Sequence, residues 1–285
     1  MKILIVGKNS YIGNHIDQWL SERKCEVSQL DVLLDGWQNY DYSGYDAIVH
    51  VAGIVHQPQC RDWELYRRVN AEMPVEIAKR AKRCGVKKYI FLSTMGVYGA
   101  EKKLIPNVID ANTHLTPHGM YGKSKWMAEV GLRKLQDGNF NVVCVRPPSV
   151  YGKGCRGGYI SGFASIVKAL PIIPRAYENV KQSFIYIDNL SEFVRLAIVN
   201  DLVGSYCPQD DKAVSANELL KTMATAMGKK YRSSRFLGFV VRVLSFMPII
   251  KKAYGGIAYD RDLSTIYRCP YVVVPFEEGI RRTLL

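Results

Sequence analysis

Tyr121-Gly-Lys-Ser-Lys125 is the segment whose residue types could move a proton. Spaced by four, the phenol and the ammonium share one helix face, and a nearby cation favours phenolate, drawing an unperturbed pKa of about 10 toward operating pH. A plain i,i+4 surface pair has the same spacing, so the surrounding elements must decide between the two. A second such segment, Gly7-Lys-Asn-Ser-Tyr-Ile-Gly13, follows the apolar run Ile3-Leu4-Ile5-Val6. Gly at a strand end permits a sharp turn, the last Gly permits close helix–strand packing, and the first helical amides face a pyrophosphate. Gly7, Ser10, Tyr11, Ile12 and Gly13 are therefore candidate cofactor contacts, with Ser10 where the fingerprint has its middle glycine. Asp31, 18 residues past Gly13, ends the second apolar run. A carboxylate there accepts from an adenosine ribose and repels a 2′-phosphate. That favours NAD over NADP, although Lys8 could still admit a phosphate.

Other leads close. Gly122-Lys123-Ser124 resembles the end of a P-loop, but Pro117 stands where that motif needs glycine. His114 and His118 are spaced by four with Pro117 between them, and no acidic residue completes a metal site. No metal is expected. The seven cysteines are scattered without a Cys-x-x-Cys pair, which reads as a reduced, cytoplasmic protein, and the start Met1-Lys2 leads straight into a strand rather than a signal segment.

The elements that must position these groups show in the hydrophobic pattern. Apolar runs at Ile3–Val6, Glu26–Leu30, Ala47–Val51, Tyr89–Leu92 and Val142–Val145 alternate with helical periods at Ile12–Ser21, Trp63–Cys84 and Tyr121–Lys134. Continuously apolar strands between helices indicate a parallel sheet covered on both faces. The fold class expected is α/β, a Rossmann-type doubly wound parallel sheet with a smaller C-terminal α/β substrate lobe. Residues 1–147 plus about 183–203 would bind NAD; about 148–182 plus 204–285 would form the lobe, with a strand at Phe184–Ile187 and helices near Leu190–Val199, Ala216–Met227 and Phe236–Phe246. Only 14 residues separate Asp31 from Asp46, so that crossover should be mostly loop.

With 285 residues, 48% hydrophobic and 23% charged, the chain can bury a full core. Its net charge of +13 favours anionic partners without naming one. The most apolar stretch, Phe236–Ile250, is shorter than the roughly 20 residues a membrane span needs and contains Arg242 and Pro248. Since Lys251-Lys252 follow it, a weak membrane-surface contact through 236–252 stands beside the readings of lobe core and dimer contact.

Gly7-x5-Gly13, Asp31, His50-Val-Ala-Gly53, Asn70, Ser93-Thr-Met-Gly-Val-Tyr-Gly99, Tyr121-x3-Lys125 and Arg146-Pro-Pro-Ser-Val-Tyr-Gly152 occur in this order. Together they resemble the extended short-chain dehydrogenase/reductase family, in particular its NAD-dependent nucleotide-sugar epimerases and dehydratases, the group of UDP-galactose 4-epimerase. Ser183–Asp188 and Pro275–Thr283 look like that family's second-lobe landmarks. The resemblance implies that Thr94 bonds the reacting sugar oxygen, with Ser93 as the neighbouring substitute. It implies that Ala52, Gly53 and Asn70 line the cofactor channel, that Lys125 also holds the nicotinamide ribose, and that Pro147 leads into the nicotinamide and sugar pocket. Ser149 stands where many relatives have an Asn that contacts the diphosphate and is a candidate substrate contact, and Gln182 stands where the epimerases commonly carry an Arg on the nucleotide. Lys153, Arg156, Arg175 and Lys181 lie in segments expected to face the substrate and could supply charge to a diphosphate.

The reading is an NAD-dependent 4-epimerase of a UDP-sugar. Tyr121, Thr94 and Lys125 are its catalytic set, and NAD is regenerated through a transient 4-keto sugar. The alternatives are an NAD(P)H-dependent 4-keto-sugar reductase and a non-catalytic, cofactor-bound regulatory or RNA-associated protein. Met95-Gly96, where dehydratases carry Asp-Glu, speaks against dehydration. A homodimer in polysaccharide biosynthesis is the family's common setting, and no nucleic-acid partner is expected.

Overall fold

The computed structural model describes residues 1–33, 36–55, 62–155, 159–266 and 270–285. In chain order the first part forms β1 (Lys2–Val6), α1 (Tyr11–Ser21), β2 (Glu26–Leu30), β3 (Ala47–His50), α2 (Trp63–Arg67), α3 (Met73–Arg83), β4 (Lys88–Leu92) and β5 (Val108–Ile109). There follow α4 (Gly119–Arg133), β6 (Asn141–Val145), β7 (Ser149–Tyr151), α5 (Tyr159–Ala169), β8 (Ile173–Pro174), β9 (Phe184–Tyr186), α6 (Ile187–Val199) and β10 (Gly204–Tyr206). The chain closes with α7 (Ala216–Ala226), β11 (Ser233–Ser234), α8 (Arg235–Val243), α9 (Pro248–Tyr254), β12 (Ala258–Tyr259) and α10 (Phe276–Leu284).

Two compact units result: residues 1–99, 114–147 and 190–208, and residues 100–113, 148–189 and 209–285. In the first unit six parallel strands lie in the order β10-β6-β4-β3-β1-β2. β1, β3, β4 and β6 are buried almost throughout, as strands with helices on both faces must be, and Leu4, Ile48, Phe91 and Val142 anchor the core. β2, with Glu26, Ser28 and Gln29, is more open and forms one edge. The reason lies in the short crossover: among the described residues between Asp31 and Asp46 there is one 3-10 turn, Trp37–Asn39, and no helix. A chain that short returns to β3 without laying a further strand outside β2. The strand order reverses at β1, so the crevice beyond the carboxyl ends of β1 and β3 is the switch point where such sheets bind ligands.

The expected single helix Trp63–Cys84 is interrupted. Between α2 and α3, residues Arg68–Glu72 form a π turn, and the Met73 amide bonds the Arg68 carbonyl. Pro74 cannot supply the amide that an α-helix would direct to the Asn70 carbonyl, so the helix widens there. Asn70, on the widened turn, is fully buried.

The second unit is built from short parallel pairs, β7 with β9, β8 with β11, and β5 with β12. At its centre the Asp210 carboxylate accepts from the Tyr151 hydroxyl at 2.7 Å, the Tyr186 amide at 2.8 Å and the Asn189 side chain at 2.8 Å. Burial pushes that carboxyl up to about 7 against these bonds. Helix α7 starts in a capping box between Ser215 and Glu218. The helix expected over Phe236–Phe246 stops at Val243, and Pro248 opens a separate helix, α9.

The unit boundaries depart from the sequence expectation in three places. Residues 100–113 and 183–189 fall in the second unit because β5 pairs with β12 and β9 with β7, and residues 204–208 fall in the first because β10 joins β6.

Candidate active site

Helix α4 carries Tyr121, Lys125 and Glu129 on one face, each four residues from the next. Gly122 decides how near that face comes to β4. A Cβ at Gly122 would lie 2.7 Å from the Gly96 carbonyl oxygen, so only glycine lets α4 approach the 3-10 turn Met95–Tyr98 this closely. Thr94 caps that turn, its Oγ1 accepting from the Gly96 amide at 3.1 Å, and its hydroxyl lies near enough to the Tyr121 phenol to draw the phenol's pKa down. Thr94 and Tyr121 thus form one polar unit at the carboxyl end of β4.

Lys125 takes a different partner from the one its spacing suggests. Its side chain is buried, 3% exposed, and Nζ donates to the Leu92 carbonyl at 2.8 Å while lying over the Phe91 ring. Burial pulls its pKa down to about 7. Burial also pushes the Tyr121 phenol up to about 12, with the Thr94 hydroxyl acting in the opposite sense. With the ammonium engaged at Leu92, the phenol's pKa follows desolvation against the Thr94 hydroxyl. At neutral pH Tyr121 holds its proton.

Glu129, one turn further along α4, escaped the sequence reading. Fully buried, it accepts from Arg146 Nε at 3.0 Å and Nη2 at 2.6 Å, from Arg133 at 2.9 Å and from the Ser93 hydroxyl at 2.6 Å. Arg146 also donates to the Tyr98 hydroxyl at 3.0 Å. Ser93 is thereby turned into this cluster, which leaves Thr94 as the hydroxyl of the pair beside the phenol. The available signal was the repeat of the four-residue step, Tyr121, Lys125, Glu129, inside a helix whose other carboxylates are absent.

The strand ends at the switch point form a cradle shaped for a dinucleotide. Gly7, at φ +124°, sits so close to the β3 end that a Cβ would lie 2.8 Å from the Ala52 amide nitrogen, and one on Gly13 would lie 2.5 Å from Ser10 Oγ. Ser10 is the N-cap of α1 and its hydroxyl accepts from the Gly13 amide at 3.0 Å. The missing middle glycine therefore has a local explanation: Ser10 satisfies one first-turn amide, and Tyr11 and Ile12 open the helix beside it. Asp31, past the end of β2, caps the Leu33 amide with Oδ1 at 2.9 Å. A carboxylate keeps further acceptor sites for a ribose.

Asn70 grips the chain after β3 from both sides, accepting from the Ile54 amide at 2.7 Å and donating to the Ile54 carbonyl at 2.8 Å. It also donates to Ser124 Oγ at 3.2 Å, and Ser124 donates to the Tyr121 carbonyl at 3.0 Å. A Cβ on Gly53 would lie 3.0 Å from Asn70 Oδ1 and 3.1 Å from Lys125 Nζ, so the bare glycine leaves that space clear. Pro147 is buried and its carbonyl accepts from the Met95 amide at 3.1 Å. These residues fit a nicotinamide dinucleotide: a glycine cradle at a helix N-terminus, a carboxylate at the β2 end, and a lysine on the same helix face as a phenol.

The substrate-facing cations proposed from sequence are engaged elsewhere. In the second unit Arg175 pairs with Glu178 at 2.9 Å, Lys181 with Glu218 at 2.6 Å, and Lys153 donates to the Leu285 carbonyl at 3.3 Å. Ser149 is exposed at the start of β7, and Arg156 lies outside the described residues. Gln182 is buried and accepts from Lys102 Nζ at 2.7 Å, and Lys102 also lies over the Tyr159 ring. Burial pulls Lys102 down to about 7. No sequence spacing marks it.

Among known proteins, the UDP-glucose 4-epimerase of Vibrio cholerae is 31% identical over 188 residues, covering 64% of this chain and 57% of that enzyme. The chain thus matches little more than half of that relative's length. The N-acetyl-alpha-D-glucosaminyl-diphospho-ditrans,octacis-undecaprenol 4-epimerase of Escherichia coli O157:H7 is 26% identical, covering 81% of this chain and 74% of that protein. In fold the chain is similar to a dTDP-4-dehydrorhamnose reductase from Clostridium acetobutylicum, with TM-score 0.75, 18% identity and coverage of 100% and 98%. It is also similar to the UDP-glucuronic acid 4-epimerase from Bacillus cereus, solved in complex with NAD, with TM-score 0.73, 17% identity and coverage of 99% and 95%. Residues 3–204, most of the chain and nearly all of the parallel sheet with its Thr94, Tyr121 and Lys125, match one family model, and the chain belongs to the NAD dependent epimerase/dehydratase family.

Proposed function

We propose that this protein is an NAD-dependent 4-epimerase of a sugar carried on a diphosphate, with a UDP-sugar as the substrate. The observation that carries the reading is the Thr94 hydroxyl set beside the Tyr121 phenol at the head of a helix whose next turn buries Lys125. A binding module needs none of these three groups.

NAD, when bound, supplies the acceptor and donor of hydride. Gly7, Gly13 and the first turn of α1 would hold its pyrophosphate and Asp31 its adenosine ribose. Tyr121 exchanges a proton with the sugar C4 oxygen, taking it as C4 is oxidised and returning it as the 4-keto sugar is reduced on its other face. Thr94 holds the phenol oxygen and, through it, the C4 oxygen. Lys125, its pKa pulled down to about 7 where it lies, becomes the group that can favour phenolate once it leaves the Leu92 carbonyl for the nicotinamide ribose. Asn70 and Ser124 tie the Ile54 backbone to α4, so the cofactor side and the proton-transfer side move as one piece. The reading carries a cytoplasmic homodimer working in surface-polysaccharide synthesis, and the scattered cysteines support the reducing compartment.

Two further readings have specific support. The protonated Tyr121 suits a single delivery of hydride to a 4-keto sugar, the chemistry of a reductase. The Escherichia coli relative, which covers more of this chain than the Vibrio one, supports a polyprenol in place of uridine on the diphosphate. Incubation with UDP-glucose, UDP-N-acetylglucosamine and undecaprenyl-diphospho-N-acetylglucosamine, without added reductant, separates them. Inversion at C4 read by NMR supports epimerisation, and the substrate that reacts names the carrier. NADPH consumption in step with a 4-keto sugar replaces it with the reductase.

A further inference from the structure

Helix α8 presents its apolar stripe to solvent. Phe236, Phe239, Val240 and Val243 follow the i, i+3, i+4, i+7 spacing of one helix face, and Phe236 is 74%, Phe239 64% and Val243 58% exposed. The opposite side is fixed inward. Gly238 and Val241 are buried, and Gly238 lies so close to the Arg175 backbone that any Cβ there would collide with the Arg175 carbonyl. The helix therefore cannot roll to hide its phenylalanines. The apolar surface continues through Phe246, 75% exposed, and into α9 with Ile249, 60% exposed.

Along the chain, the charge of this stretch is of one sign. From Leu219 to Tyr259 the chain has eight Lys or Arg and no Asp or Glu, so this stretch accounts for eight of the net +13. Arg235, Arg242, Lys251 and Lys252 are exposed on or beside the two helices. Both helices are short, and no helix among the described residues is long and apolar enough to cross a membrane. Exposed aromatic side chains rimmed by cations suit a surface that is apolar just beneath an anionic layer. A second copy of this chain suits it less, because a symmetric contact would set the same cations against one another.

We infer that α8 and α9 dock the protein on an anionic lipid bilayer, Phe236, Phe239, Phe246 and Ile249 entering the interface and the flanking Lys and Arg meeting lipid phosphates. The inference is independent of the reaction proposed above. It is tested by flotation of the full chain with vesicles of phosphatidylcholine and phosphatidylglycerol, and of phosphatidylcholine alone. Flotation with the anionic vesicles is expected, about tenfold weaker on the neutral ones or at high salt. The variant Phe236→Ser/Phe239→Ser/Phe246→Ser should lose about tenfold on anionic vesicles with its melting temperature kept, since all three side chains are exposed. Lys251→Glu/Lys252→Glu should weaken binding with the apolar face intact. The inference is overturned by absence of flotation with either vesicle or by a triple variant that floats like the parent. A dimer in light scattering that the triple variant turns into monomer, without flotation, would instead assign the face to a second copy.

Discussion

Glu129 and Arg146 form a doubly hydrogen-bonded ion pair beneath the Thr94–Tyr121 unit, with Glu129 fully buried and Arg146 nearly so. Removing one partner leaves the other charge buried and unpaired. Glu129→Gln and Arg146→Met are each expected to cost about 3–5 kcal/mol, read from urea denaturation, and the double variant less than the sum of the two. Additive losses would show that the two side chains act separately.

Tyr121→Phe removes the proton-transferring oxygen and leaves the ring. Turnover should fall about 10²–10⁴-fold, with stability changed by roughly 1 kcal/mol at most. Full activity in this variant would falsify the assigned role.

Lys125 links stability to pH. Its folded pKa, about 7, lies below the ordinary lysine value of 10.5, so the folded chain binds fewer protons between those two values and parent stability rises with pH across that window. Lys125→Met abolishes the penalty. The variant should be more stable than the parent by about 1–4 kcal/mol below pH 7, and this gain should vanish as pH rises toward 10.5. Its turnover should be lost at every pH. Thermal melts from pH 6 to 10 decide the matter, and a gain that grew with pH would contradict it.

Gly122→Val places a side chain against the Gly96 carbonyl and should push α4 off the Met95–Tyr98 turn. Activity should drop at least about 10²-fold as the phenol moves away from Thr94, with a destabilisation of roughly 1–3 kcal/mol. A crystal structure with α4 still seated on that turn would show that the glycine is not what sets the approach.

Asp31→Ser should weaken NAD about tenfold and leave NADP little changed, since the carboxylate both accepts from a 2′-hydroxyl and repels a 2′-phosphate. Calorimetric titration with each nucleotide measures the ratio; equal losses for the two would remove Asp31 from the ribose site.

Much of this was legible because it is local. Apolar runs of strand length gave β1, β3, β4 and β6 to within a residue or two, and the 14-residue gap before Asp46 pointed to a crossover that is mostly loop. The glycines at 7 and 13 announced a tight strand–turn–helix unit. Partners were not legible. Arg175 and Lys181 look free in sequence, and the fold pairs them with Glu178 and Glu218. The π turn at Arg68–Glu72, which buries Asn70, is hidden in a stretch that reads as one continuous helix.

The sequence by itself determined that Tyr121 and Lys125 share a helix face, because 3.6 residues per turn is a property of the backbone and needs no tertiary contact. Only the tertiary structure decided what that face meets. The close approach of Gly122 to Gly96 brings Thr94, rather than Ser93, to the phenol; burial takes Lys125 to the Leu92 carbonyl and raises Tyr121 instead of lowering it. Desolvation and hydrogen-bond partners come from residues distant in the chain, and no spacing rule reports them.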